Sequence, residues 1–192
     1  MIFLALTFFL VANPIGNAPA IIALVKGFGF QRQRLILLRE SGFALILALF
    51  FQYFGERFLS ILNIQQYAVT IAGGFLLLFV AFNMMGAIAS QEKTITPQQE
   101  PFFVPIATPI LSGPGLLAII MVKSRTAGSA LEVTFAILLA WVGVVTVLGI
   151  APYLYKILGR SGFTALEQIM GMLLALVSME MIVKGVSLLL KA

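Results

Sequence analysis

The chain has 192 residues, of which 61% are apolar and only 10% are Asp, Glu, Lys or Arg. Soluble domains carry roughly 25% charged residues, so this composition would leave too much apolar surface in water, and lipid is its natural solvent. The absence of cysteine and histidine excludes disulfides and the commonest metal ligands and general base, which predicts no cofactor, no metal and no enzymatic activity. The net charge of +5 is scattered between apolar runs, so we expect no nucleic-acid partner.

Six apolar stretches are long enough to cross a bilayer as helices, which takes about 20 residues. They cover 1–25, 35–54, 67–89, 102–122, 131–151 and 166–190. The polar segment 90–100 is predicted to connect a first unit, 1–89, to a second unit, 101–192. Such long and continuous runs favour helices over the short alternating strands of a barrel. We therefore predict an all-α membrane protein with six transmembrane helices.

Basic residues are concentrated in the loops on one side of this bundle. The first loop alone holds Lys26, Arg32, Arg34 and Arg39, whereas the second holds only Arg57. Because cytoplasmic loops retain an excess of positive charge, the first, third and fifth loops are predicted to face the cytoplasm. Both termini then lie outside.

Two proline-rich motifs interrupt the first and fourth spans. Residues 13–19 read Asn-Pro-Ile-Gly-Asn-Ala-Pro, and residues 108–114 read Thr-Pro-Ile-Leu-Ser-Gly-Pro. A proline lacks a backbone donor and clashes with the preceding turn, so two in succession should break each helix. One half-helix should end before Pro14 and Pro109, and the next should have Pro19 and Pro114 at its first position. The alternative is that the prolines only kink packed helices.

The two motifs belong to an internal repeat. They lie 95 residues apart, and the helical segments that begin at Gly74 and Gly171 match at an offset of 97 residues. Two matches at nearly one offset indicate a duplicated unit. Since each unit has three spans, the second enters the membrane from the opposite side, which is the inverted-repeat plan of many secondary transporters. In that plan the two breaks meet near the midplane.

The predicted breaks supply groups that could bind a solute. Amides at the start of a half-helix attract a carboxylate, and carbonyls at the end of one suit an ammonium or a cation. A zwitterion would fit between them. The residues expected to form this site are Asn13, Gly16, Asn17, Asn83, Thr108, Ser112 and Gly113.

Four charged side chains and one tryptophan inside or near the spans are candidates for a specific role. Glu180 lies near the centre of the sixth span, where a charge is costly and therefore a functional candidate. It could carry a coupling proton or pair with a substrate amine, and the alternative is a structural pair with Lys184, four residues on. Arg39 and Glu40 open the second span and are expected at the membrane interface. Trp141 lies in mid-span, so we expect it to pack or to line a cavity.

Four blocks of this sequence resemble the MarC-related family of integral membrane proteins: 13–19, 72–78, 105–115 and 169–175. The resemblance covers nearly the whole chain. It implies a six-helix protein of the prokaryotic inner membrane, of the neutral amino acid transporter type. In that family the residue before Pro14 is often Asp and the position of Glu180 is often Gln, so this chain loses one charge and gains another.

The leading hypothesis is a secondary transporter that moves glycine, alanine or serine by alternating access, coupled to H⁺ or Na⁺. The alternative is a passive channel in which opposed half-helix dipoles exclude cations. An ATP-driven pump is not expected, because no phosphate-binding loop is present. The sequence leaves the oligomeric state open, with a homo-oligomer as one alternative.

Overall fold

The computed structural model describes residues 1–25, 27–86, 106–126 and 128–191. Every regular element in these ranges is helical, and none of them contains a strand. The helices are α1 (Ile2–Ala12), α2 (Pro14–Val25), α3 (Phe30–Ile61), α4 (Gln66–Met84), a π-helical turn (Ile106–Leu111), α5 (Pro114–Thr126) and α6 (Ala130–Leu189).

Five helical stretches in the described ranges are long and apolar enough to cross a membrane: Ile2–Val25, Phe30–Ile61, Gln66–Met84, Ala130–Leu154 and Ser161–Leu189. They correspond to the predicted first, second, third, fifth and sixth spans. The predicted fourth span is covered only in part, because residues 101–105 lie outside the described residues. The predicted connecting segment 90–100 also lies outside them, so the boundary between the two units stays a prediction.

Large apolar side chains cover the outside of the bundle. Phe50, Phe75, Phe79, Val142 and Leu176 are each more than half exposed. Exposed apolar surface on this scale requires lipid around the helices. The chain is therefore a multi-pass membrane protein, as predicted.

The long helix α3 runs antiparallel to the first arm of α6, Ala130–Leu154. Three contacts fix the register: Phe30 with Tyr153 at one end, Ser41 with Trp141 in the middle, and Gln52 with Thr134 at the other end. Trp141 is 2% exposed, and its Nε1 donates to the carbonyl oxygen of Ser41 at 2.7 Å. The packing predicted for Trp141 is confirmed.

The second arm of α6, Ser161–Leu189, packs closely against α4 through glycines. A Cβ on Gly74 would lie 3.0 Å from the carbonyl oxygen of Ser178, and one on Gly185 would lie 3.1 Å from the backbone nitrogen of Ile71. Small residues of this kind let membrane helices approach each other. Gly74 of α4 lies beside Ser178, whereas Ile71, earlier in α4, lies beside Gly185, later in α6. The two helices are therefore antiparallel.

Ion pairs mark one face of the bundle. The amino group of Met1 lies 3.2 Å from Glu132 Oε1, and Arg125 Nε lies 3.0 Å from Glu56 Oε1. The end of α6 returns to this face, since Gly185 lies beside the start of α4. The opposite face holds the beginning of α3 and the basic first loop, which the positive-inside rule predicts to be cytoplasmic.

The predicted fifth loop is reduced to a kink. Residues 130–189 form one helix except at Gly159, where φ is 63° and ψ is −173°. Glycine reaches this conformation without a steric cost, so a single residue joins the two arms. The connection between the fifth and sixth spans, Ala130–Leu154 and Ser161–Leu189, is therefore shorter than predicted and turns at Gly159.

Candidate functional site

Asn13 builds the first helix break. Its φ of 50° and ψ of 51° lie in the left-handed region, which asparagine tolerates better than most residues. Its Oδ1 accepts a hydrogen bond from the backbone N–H of Gly16 at 3.2 Å, and its Nδ2 lies 3.0 Å from Met84 Sδ. Asn13 thus ends α1 and caps α2, and Pro14 takes the first helical position, where its missing N–H costs nothing.

The prediction for Pro19 is wrong. We expected Pro19 to open the second half-helix, but it lies inside α2, which already begins at Pro14. The helix starts earlier because Asn13 supplies both the left-handed turn and the cap. Gly16 is buried against Asn13 and Met84, so a side chain at this position would displace the cap.

The second break has a different geometry. Thr108 is extended, with φ −135° and ψ 130°, as expected for a residue before proline. The backbone N–H of Ser112 then donates to the carbonyl oxygen of Ala107 at 2.9 Å, which closes a π-helical turn. The side chain of Pro109 lies outside the described part of the chain.

The helix after the second break begins at Pro114, as predicted. The carbonyl oxygen of Gly113 accepts the N–H of Leu117 at 3.1 Å. The preceding amides, those of Gly115 and Leu116, have no carbonyl within the helix to donate to. At the first break, by contrast, Asn13 Oδ1 accepts a hydrogen bond from one of the equivalent amides, that of Gly16.

Asn17 joins the two breaks. Its Nδ2 donates to the carbonyl oxygen of Ala12 at 3.2 Å and to that of Ile110 at 3.0 Å. One side-chain amide therefore ties the end of α1 to the turn that precedes α5.

The breaks lie near the middle of the membrane. Ser112 Oγ donates to the carbonyl oxygen of Ala44 at 2.7 Å, and Ala44 is close to the midpoint of the 32-residue α3. With a rise of about 1.5 Å per residue, this position is about 21 Å from the start of α3 and about 26 Å from its end.

A cavity of about 300 Å³ lies between the breaks. Asn13 and Asn17 line it from the first break, and Gly113 and Gly115 line it from the second. The remaining wall is mostly apolar and comes largely from α4, with Leu77 and Val80 among its residues, and α6 adds Leu174. Few polar groups in an apolar cavity are typical of a small-molecule site.

Helix ends of opposite polarity face this cavity. Val11, in the last turn of α1, lines it together with Gly115 and Leu116 in the first turn of α5. The carbonyl of Leu10 has no helical donor, because its partner would be Pro14, which has no N–H. The α1 end therefore presents partial negative charge and the α5 end partial positive charge.

Four predicted site residues lie outside the cavity lining. Ser112 is fully buried and binds α3 instead. Thr108 Oγ1 is buried and has no hydrogen-bond partner among the described residues. Gly16 lies beneath the Asn13 cap, and Asn83 is half-buried near the end of α4.

Glu180 points away from the breaks. Its side chain is 62% exposed, and its Oε1 lies 2.8 Å from Nζ of Lys184, which is 60% exposed. The buried face of this arm, with Met181 against Gly73, turns Glu180 outward. The expectation that Glu180 faces the interior is wrong, and the pair with Lys184 is the arrangement observed.

Glu40 is the acidic side chain that the structure buries. It is 0% exposed, although we expected it at the interface. Arg39 Nε and Nη2 donate to its Oε1 at 3.1 and 3.0 Å, and its Oε2 has no partner among the described residues. The expectation failed because α3 begins at Phe30, almost three turns before Glu40. No group of His, Cys, Asp or Glu in the described ranges could hold a metal.

A second cavity, of about 340 Å³, lies between α3 and the first arm of α6. Arg34 and Tyr153 line its outer end, and Ser41 lies deeper. Leu38 and Ile150 on its wall are about half exposed, so this cavity opens on the lipid-facing surface. None of the predicted site residues lines it.

Comparison with known proteins identifies the family. The family model described as MarC family integral membrane protein matches residues 1–190. This chain belongs to the MarC family. It is 33% identical over 189 residues to the UPF0056 inner membrane protein YhgN of Escherichia coli K12, covering 97% of this chain and 96% of the relative.

Other relatives in the family are similarly close. A UPF0056 membrane protein of Chlamydia muridarum is 35% identical over 192 residues, covering 96% of this chain and 91% of the relative. One of Buchnera aphidicola from Schizaphis graminum is 33% identical over 178 residues, covering 92% and 91%. No solved structure matches the chain. The resemblance seen in the sequence is confirmed, and the chain is an inner-membrane protein like YhgN.

Proposed function

We propose that this MarC family chain is a secondary transporter that moves small neutral amino acids across the inner membrane by alternating access. The observation that carries the proposal is one mid-membrane cavity lined by two broken helices, which Asn17 joins through its bond to Ile110. Broken helices that aim their ends at a central site are the usual way in which transporters bind charged substrate groups inside the membrane.

The cavity suits a zwitterion with a small side chain. The ammonium group binds at the carbonyl end of α1 beside Val11, and the carboxylate binds at the open amides of Gly115 and Leu116. A volume of about 300 Å³ has room for roughly ten water molecules, which is enough for glycine, alanine or serine. Leu77 and Leu174 line the apolar side, where they contact the small side chain of the substrate.

The architecture proposed for this activity is six transmembrane helices in two inverted three-helix repeats, 1–89 and 101–192. The breaks at Asn13 and at Thr108 support it, since they occupy matching places in the two units. In alternating access one unit rocks against the other around the fixed cavity. Coupling of this movement to H⁺ or Na⁺ is part of the proposal.

Counterflow in proteoliposomes tests the proposal. Vesicles loaded with unlabelled alanine should transiently accumulate labelled alanine through the wild type. Asn17→Ala removes the bridge between the breaks and should slow exchange about tenfold, as expected for losing hydrogen bonds worth about 1–2 kcal/mol. Asn83→Ala is the matched control, because Asn83 does not line the cavity, and it should exchange like wild type.

The outcomes separate the alternatives. Equilibration without counterflow would identify a passive channel, since a channel does not exchange one solute for another. No flux of glycine, alanine or serine would contradict the proposal.

A further inference from the structure

Glu40 lies on the inner face of α3. The buried residues of this helix follow one stripe, which includes Leu37, Glu40, Ala44, Ala48 and Gln52. Their spacing of three or four residues keeps them on one side of the helix. Glu40 is thus held within the bundle, about one turn from the level of the second break.

The charge of Glu40 is matched on one oxygen only. Arg39 binds Oε1, and Oε2 is buried without a hydrogen-bond partner among the described residues. A charged group inside a membrane protein is costly and marks ion or proton pathways. The structure therefore leaves one carboxylate oxygen available within the bundle.

Among the side chains that the structure describes, the elements packed against α3 bring no other charge to Glu40. The turn Ile106–Leu111 has no charged residue. Arg125 of α5 pairs with Glu56. Glu56 is about 24 Å from Glu40 along α3, at about 1.5 Å per residue. Lys123 is in the same last turn of α5 as Arg125. In α6, Glu132 pairs with the Met1 amino group, and Glu167, Glu180 and Lys184 belong to the second arm, which packs against α4.

We propose that Glu40 Oε2 binds the proton that drives transport, an inference that rests on the transport function proposed above. The proton adds to a lone pair of Oε2, forms one O–H bond and neutralises the carboxylate. When the protein opens to the other side of the membrane, this O–H bond breaks and the proton leaves to that side. A sodium ion would need several oxygen ligands, whereas one oxygen suffices for a proton.

Two hydrogen bonds hold the turn of α3 that follows Glu40, and one of them connects it to the substrate cavity. The carbonyl oxygen of Ala44, one turn after Glu40, accepts from Ser112 Oγ at 2.7 Å, and Ser112 precedes Gly113 in the cavity wall. The carbonyl oxygen of Ser41, the next residue, accepts from Trp141. Protonation weakens the Arg39–Glu40 attraction and allows α3 to move. Because Ser112 is hydrogen-bonded to α3, the second break moves with it.

Gradient-driven uptake tests this assignment in proteoliposomes containing the full chain. A gradient of about one pH unit sustains about tenfold accumulation of alanine when one proton moves with each substrate. We expect wild type to approach this ratio. Glu40→Gln should fail to accumulate alanine while still exchanging it, more slowly, in counterflow. Glu40→Asp retains the carboxylate and should accumulate. Glu180→Gln, the same change at the exposed acid, should behave as wild type.

The outcomes distinguish this inference from the function on which it rests. Accumulation by Glu40→Gln equal to that of wild type would overturn the assignment and leave the transporter intact. Net entry of alanine into empty wild-type vesicles without acidification of the lumen would also overturn it, whether or not the variants fold. No amino acid flux in wild type would instead contradict the proposed function.

Discussion

The side-chain amide of Asn17 lies 3.0 Å from the carbonyl oxygen of Ile110, 93 residues away in the chain, and this bond links the two helix breaks. Its second bond, to the carbonyl oxygen of Ala12, means that neither break can move far without the other. A solute between the breaks is thus enclosed by groups from both halves of the sequence. The following predictions concern the residues that create this arrangement.

Asn13→Ala should destabilise the protein more than Asn13→Gly. Alanine loses the cap on Gly16, worth about 1 kcal/mol, and must also adopt a left-handed conformation that costs about 1–2 kcal/mol. Glycine adopts that conformation freely, and the exchange of a cap residue for glycine costs only a few tenths of a kcal/mol. Thermal unfolding in detergent gives the order. Equal stability of the two variants would show that the left-handed turn is not the constraint.

Gly115→Ala should impair transport of alanine and serine more than that of glycine. The added methyl group would overlap the side chain of Leu77, which lines the same cavity, so Leu77 must shift and the space left for a larger substrate changes. The double variant Gly115→Ala/Leu77→Ala should restore the uptake of the larger substrates. Competition of each amino acid against labelled glycine measures the change. Failure of the double variant to recover would place the substrate elsewhere.

Lys184→Gln should lower the melting temperature more than the double change Glu180→Gln/Lys184→Gln. The single change leaves the Glu180 carboxylate unpaired on a lipid-facing surface, whereas the double change removes both charges. Transport should stay at the wild-type level in both variants, because this pair lies outside the cavity. A large loss of uptake in the double variant would restore a functional role for Glu180.

Trp141→Phe should reduce the free energy of unfolding by about 1 kcal/mol, since it removes the hydrogen bond from Nε1 to Ser41. The carbonyl of Ser41 keeps its helical partner, so no buried acceptor is left unsatisfied. Val142→Leu, at the neighbouring lipid-facing position, is the control and should leave stability unchanged. Denaturant unfolding followed by circular dichroism measures both variants.

Much of this fold could be predicted from the sequence. Long apolar runs allow only membrane helices, and proline chemistry predicts a helix start at Pro114. The detail of the first break could not be predicted, because either Pro14 or Pro19 fits a first helical position. The choice depends on Asn13, whose left-handed backbone ends α1 and whose side chain caps the helix that begins at Pro14.

The positions of Glu40 and Glu180 could not be predicted from the sequence either, because each depends on how the helices pack. The second arm of α6 is apolar on every side, so periodicity does not reveal that Met181 packs inward and Glu180 outward. The basic residues that open α3 suggest a loop, yet the helix begins at Phe30 and carries Glu40 inside. In both cases the decisive information is which helix packs against which face.

The most direct test of the central claim uses the absence of cysteine in this chain, which makes single-cysteine variants available without further changes. Val11→Cys and Leu116→Cys place a thiol at the two helix ends that face the cavity, and Gly128→Cys places one in an exposed loop. If both breaks form one amino acid site, glycine should slow alkylation of the thiols at positions 11 and 116 and leave that at position 128 unaffected. Protection at only one break, or at neither, would contradict a shared site.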